Sequence, residues 1–150
     1  KGMFYQLYPA AKMLFLEMME DMHRDAYKAA DKVLKQFIQL NEAERTAKAL
    51  MAACQVMEKS GMVGFLEKDM TYLLRRIPKD IIEKNYHSDE VHINELFDAN
   101  GLKPSCGEKV AADTVRALFL TISHRTEIGS DYNTVLQIII EGTCSRMFST

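Results

Sequence analysis

Apolar residues at Phe15, Met19, Met22, Ala26, Ala29 and Val33 recur in alternating steps of four and three, the spacing that lines them up on one face of an α-helix. The stripe runs on through Phe37 and Leu40, and neither proline nor glycine interrupts the chain after Pro9. The pattern therefore predicts one helix over residues 9–40, roughly 48 Å long at 1.5 Å per residue, around which the rest is organised. Its two halves differ. Between Met13 and Met19 the helix is apolar nearly all round, with Leu14, Leu16 and Met18 off the main stripe, so that end should be covered on more than one side. From His23 onward, Lys28, Asp31, Lys32 and Lys35 supply an ordinary solvated face. The lead-in, with Met3, Phe4, Tyr5, Leu7 and Tyr8, is too apolar for a free tail and should dock on the body or on a partner.

The same periodicity continues down the chain. Asn41 with Glu44 three residues on fits an N-cap with a reciprocating acid, and Ala43, Ala47, Leu50, Cys54 and Met57 repeat the seam until Ser60-Gly61 stops it. So short a connection to the first helix implies an antiparallel hairpin. A third helix is expected from Met62 to about Arg76, with Val63, Leu66, Met70, Leu73 and Ile77 in register. Pro78 breaks it and opens a short helix from Lys79 to about Tyr86. Ser88 is placed to cap a fifth, with Asp89 and Glu90 in its first turn, ending at Asn100-Gly101. After a loop from Leu102 to Gly107, a sixth helix runs from Glu108 to about Ser123, with Ala111, Val115, Leu118 and Ile122 on one face and a Lys109/Asp113 pair on another. Ser130 and Asp131 precede a last helix whose Val135, Leu136, Ile138, Ile139 and Ile140 make it the most apolar, hence expected to be central and buried. The predicted fold is all-α: one helical bundle of six or seven helices over residues 1–150, organised on the long N-terminal helix. The chain opens on Lys1-Gly2 instead of a methionine, which suits a fragment of a longer protein.

Composition supports a globular domain, with 47% hydrophobic and 27% charged residues. A net charge of -2 and a pI near 6.1 supply no global positive field to attract nucleic acid or anionic lipid. The longest apolar run, Val135 to Ile140, is interrupted by Gln137 and falls far below the roughly 20 residues a membrane span needs, so the chain reads as soluble. Cys54, Cys106 and Cys144 form neither a C-x-x-C motif nor an even disulfide set, which fits reduced thiols in the cytoplasm or nucleus. Ten methionines without a tryptophan make an adaptable set of apolar side chains, suited to core gaps and to binding surfaces alike.

Candidate chemistry is sparse. Glu20-x-x-His23, with Glu17 a turn earlier, has the i,i+3 spacing by which carboxylate-bridged di-iron bundles hold metal. The nearest partner is Asp89-x-x-His92, and no matching acids occupy core positions of the other helices, so solvated charge explains the pair more simply. His87 and His92 flank Asp89-Glu90 without sharing a helical face. His124, beside Arg125 and Glu127, suits a helix end. Cys106, near Lys103 and Lys109, is the one thiol in a setting that could lower its pKa. Ile93 to Ser105 loosely resembles the first helix and turn of a helix-turn-helix, but the following helix offers only Lys109 and Arg116 as cations, opposed by Asp113. The densest positive charge is Arg75-Arg76 with Lys79 at the Pro78 corner. With no convergent chemistry, the expected function is non-catalytic: a protein-binding or assembly module that self-associates or takes a partner helix, without cofactor, metal or evident small-molecule substrate. Phe4, Tyr5, Tyr8, Leu14, Met18, Arg75, Arg76 and Lys79 are the residues expected to meet the partner. A metal-binding bundle and a nucleic-acid-binding domain are the alternatives.

Overall fold

The computed structural model describes residues 8–61, 68 and 75–149, with side chains from Met13 onward. These residues form five long helices: α1 (Tyr8–Gln36), α2 (Glu42–Lys59), α3 (Lys79–Ala99), α4 (Glu108–Thr121) and α5 (Tyr132–Met147). A 3₁₀ turn, Ile122–His124, and a single-turn helix, Arg125–Ile128, lead from α4 towards α5. Among the described residues there is no strand, and no helix is long and apolar enough to cross a membrane. The all-helical expectation is met, whereas the count of six or seven helices is not. The predicted third helix lies largely outside the described residues, and the predicted fourth and fifth are one.

That merger has a simple cause. Residues 79–99 contain neither proline nor glycine, so nothing obliges the backbone to leave helical geometry at Ser88. A serine caps a helix only where the chain already turns in from an extended conformation. Ser88 instead sits mid-helix, its Oγ 3.5 Å from Nδ1 of His92 one turn on. The end of α3 matches expectation in detail. Gly101 adopts φ 67°, its N–H bonds the Asp98 carbonyl, and the Leu102 N–H bonds the Phe97 carbonyl at 2.9 Å. This is a Schellman closure, with Leu102 and Phe97 both buried beside it.

α1 and α2 form the predicted antiparallel hairpin, and the caps are specific. The Asn41 side chain accepts from the Glu44 N–H at 2.9 Å. At the other side of the turn, the Leu34 carbonyl belongs to the last turn of α1, whose carbonyls lack helical partners. Arg45 of α2 fills that need: its Nε and Nη2 donate to the Leu34 oxygen at 3.3 and 2.9 Å, and the side chain is buried. The helix thus stops at Gln36, short of Leu40, and residues 37–40 make the turn. The buried stripe of α1 is Phe15, Met22, Ala26, Ala30 and Leu34. Steps of four carry it slowly around the helix, so Ala29 and Val33 are only half-buried.

α2 lies between α1 and α5, α1 also borders α3, and α4 packs on α3. Their buried residues join into one core that includes Leu50, Met57, Ile93, Val115, Leu136 and Ile140. Loop contacts tie the layers: the Lys103 N–H bonds Glu42 Oε2 at 2.9 Å, and the Ser105 N–H bonds the Met147 carbonyl at 2.7 Å. The last helix departs from expectation. Tyr132, Leu136, Ile140, Cys144 and Met147 are buried, but Ile138 is 66% exposed and Ile139 is exposed too. α5 is amphipathic, not central, and Asp131 makes no capping side-chain bond at its start.

Candidate functional site

Two surfaces of α1 stand out, on opposite flanks. On the outer flank Leu14 and Met18, one turn apart, are 57% and 45% exposed, with Met13 exposed nearby. The expected burial of this end on several sides is therefore not met among the described residues. Charged residues continue the same flank in an ordered way. Glu17, Asp21 and Asp25 occupy its first half, Lys28, Lys32 and Lys35 its second, and all are exposed. Arg24 pairs with Asp21, and Lys35 with Asp31. The Lys35 bond, followed by one from Asn100 Nδ2, holds the Asp31 carboxyl below its ordinary range.

On the inner flank, α1, α3 and α4 enclose a cavity of about 100 Å³, walled by Phe15, Met19, Met22, Met57, Ile93 and Phe119 among others. Ile77, from the corner before α3, also lines it. Its polar wall is a cluster that no single helix reveals. His23 Nδ1 lies 3.3 Å from Asp89 Oδ1, both largely buried. Tyr27 stacks obliquely near His23, His92 and Phe119. Burial first, then the Asp89 carboxylate that its hydroxyl bonds, push the Tyr27 phenol well above the ordinary tyrosine value. The hydroxyl consequently stays a donor. From α4, Arg116 sends Nη1 to Asp113 Oδ1 and Nη2 to the Tyr86 carbonyl, each at 3.0 Å, with its guanidinium 5.1 Å from the Tyr86 ring centre.

Beyond this wall, between α1 and α3, a polar groove of about 530 Å³ shares His23, Tyr27, Asn85 and Asp89 with the cavity. Glu20 and His92 line it as well, so the fold brings the two metal-like sequence pairs, Glu20-x-x-His23 and Asp89-x-x-His92, to one place. They do not converge. Among the described residues, no three His, Cys, Asp or Glu side chains are grouped closely enough to share a metal ion, and His23 and Asp89 engage each other.

The remaining candidates disperse. Phe4 and Tyr5 lie outside the described residues, and Tyr8 opens α1 with its side chain outside them too. Arg75, Arg76 and Lys79 are exposed around the Pro78 corner. Ile77 links that corner to the inner flank of α1, away from Leu14 and Met18. His124 meets Glu127 at 3.3 Å, a local contact. Both cations of α4 are engaged within the molecule, Lys109 with Asp113 at 3.0 Å and Arg116 as above. Mutual attraction raises the Lys109 pKa and lowers that of Asp113. Cys106 is exposed, while Cys54 and Cys144 are buried free thiols whose pKa burial pushes up to about 12.

Tyr27 was the member of the cluster that sequence alone did not bring forward, and Arg116, noted only as a cation of the helix after Gly107, was not placed beside it. Tyr27 falls one position past the Ala26 stripe and Arg116 one past Val115, the place where a polar-tipped side chain borders a core. That was the available signal. No protein-family model, curated protein or solved structure matches the chain.

Proposed function

We propose that the chain is a non-catalytic assembly module in which the outer flank of α1 pairs with the same flank of a second copy. The observation that carries this reading is the order of side chains along that flank: exposed Leu14 and Met18, then acids, then lysines. Two such helices laid antiparallel can set Arg24 of one against Asp25 of the other, which also sets Asp21 against Lys28 and Glu17 against Lys32. A two-fold axis repeats each pair. Exposed ion pairs contribute little affinity singly, about 0–1 kcal/mol each, but they fix partner and orientation. Apolar contact supplies the drive, as Leu14 comes to rest on the aliphatic stem of Lys35. The non-catalytic part is supported by where the titratable groups are engaged: Asp89 holds His23 and Tyr27, and Arg116 bonds Asp113 and the Tyr86 carbonyl.

Sedimentation equilibrium over a wide concentration range tests this. The expected result is a reversible dimer, weakened by high salt and abolished by Leu14→Lys with Met18→Asp, which set like charges against Lys35 and Asp31 of the other copy. Lys28→Glu should weaken it, and adding Asp21→Lys should restore it by swapping both partners. A monomer at millimolar concentration, or a dimer indifferent to the Leu14 and Met18 changes, overturns the self-association reading. A monomer that still captured a foreign amphipathic helix through Leu14 and Met18 would leave a hetero-partner as the answer.

A further inference from the structure

The inner flank of α1 supports a separate inference, independent of self-association. Its cavity of about 100 Å³ is walled almost wholly by aliphatic, thioether and aromatic groups. An apolar cavity half as large again, about 150 Å³, stays dry and admits a molecule the size of one aromatic ring. Its polar wall, with His23, Asn85, Asp89 and Arg116, breaks the apolar character, and Arg116 is the member left with an unused donor. Arg116 lines the cavity, and although both Nη atoms are bonded, its Nε is buried and has no acceptor among the described residues. Buried N–H groups without acceptors are rare and point to a missing partner. Nearby protein acceptors are already engaged. Asp113 is shared between Arg116 and Lys109, and Asp89 holds His23 and the Tyr27 hydroxyl. The guanidinium is therefore incompletely compensated and next to an apolar space.

We propose that this cavity is a binding site for a small monocarboxylate with an apolar body of about six carbons, the size class such cavities admit. The body packs against Met19, Met22 and Phe119, and a carboxylate oxygen accepts from the Arg116 Nε–H. The body cannot be much larger than one ring, because the cavity holds only about 100 Å³; a carboxylate suits the donor better than a neutral acceptor because charge-assisted bonds to guanidinium are the stronger kind.

The methionines give the test a direct readout. In protein labelled at the methionine methyls, benzoate and hexanoate should produce saturable shifts at Met19, Met22 and Met57. Toluene and hexylamine, matched in size but lacking the carboxylate, should bind about tenfold more weakly or less, as expected when a charge-assisted bond is missing. Arg116→Gln should remove that preference while leaving toluene binding unchanged, with far-UV circular dichroism confirming the fold. Ser123→Phe, at the cavity edge, should block all of these ligands. If Arg116→Gln does not fold, the ranking of ligands on the natural protein decides alone. Equal affinity for benzoate, toluene and hexylamine, or no saturable shift with any of them, overturns the proposal, the latter meaning that water alone satisfies Nε. Dimer formation is read separately, so failure here leaves the reading of the outer flank standing.

Discussion

Arg45 offers the sharpest test of how the hairpin is held. Its guanidinium is buried, and two of its N–H groups converge on the Leu34 carbonyl. Arg45→Met keeps most of the aliphatic stem and removes only the donors, leaving a buried carbonyl at the end of α1 unsatisfied. A hydrogen bond from a charged donor contributes about 1.5–3 kcal/mol, and an orphaned buried acceptor costs about 1–3 kcal/mol. These describe largely the same loss, so the expected destabilisation is about 2–3 kcal/mol. For a domain of this size that lowers the melting temperature by roughly 4–12 °C. In urea, with a slope of about 1–3 kcal/mol per molar, the midpoint should fall by about 1 M with the slope unchanged. Arg45→Lys carries one compact ammonium on a shorter stem and should recover about half. The assay is equilibrium unfolding followed by circular dichroism and tyrosine fluorescence, whose coincidence checks two-state behaviour. An Arg45→Met variant within about 0.5 kcal/mol of the natural protein would refute the reasoning, showing that desolvation of the guanidinium cancels the bonds.

Ile140→Ala, at a fully buried position of α5, should cost about 2–5 kcal/mol by opening a cavity, whereas Ile138→Lys should stay within about 0.5 kcal/mol; urea unfolding of both tests the orientation of α5. Gly101→Ala places a Cβ in the left-handed region with nothing near it, so strain alone should cost about 1–2 kcal/mol, and Gly101→Asn should cost less. Cys54 and Cys144 keep their protons up to about pH 12 when folded, against an ordinary 9. Because the unfolded thiols release theirs first, their contribution to stability should be constant below pH 9 and be lost as pH rises from 9 towards 12, joined at the alkaline end by that of the buried Tyr27 phenol, and the Cys54→Ala, Cys144→Ala double variant should lessen the decline in urea titrations at stepped pH. In a thiol-reagent assay on folded protein, Cys106 should react rapidly and the two buried thiols only upon denaturation.

Local features were legible in the sequence. The Asn41 cap, the Ser60-Gly61 stop and the Asn100-Gly101 closure each involve residues within one turn, where side-chain chemistry decides the backbone. Periodicity located the seam of α2 and α4 for the same reason. Ser88 misled because capping potential is realised only where the chain bends, and residues 79–99 give it no cause to bend. The apolar density of α5 misled because Ile138 and Ile139 lie off the Leu136–Ile140 stripe; residue type alone cannot say how many neighbours a helix has. The drift of the α1 stripe to Ala30 and Leu34 follows from two neighbours at once, α2 and α3, and from bonds such as Asn100 to Asp31, 69 residues apart. The polar cluster is likewise non-local: Arg116 and the Tyr86 carbonyl are 30 residues apart, and His23 meets Asp89 only after α3 docks.

The position of α2 between α1 and α5 bears on how the chain is made. Emerging from a ribosome, the first two helices can close as a hairpin at once, since Leu34 and Arg45 are only 11 residues apart, and such short-range pairing is fast. α5 is synthesised last, so the side of α2 that it covers must wait. The buried residues of α2 are mostly small, Thr46, Ala47, Ala49, Ala53 and Cys54 among them, and small side chains leave little apolar area for a neighbouring nascent chain to grip. The same alanines that let three helices approach closely in the finished protein keep the half-made one from sticking.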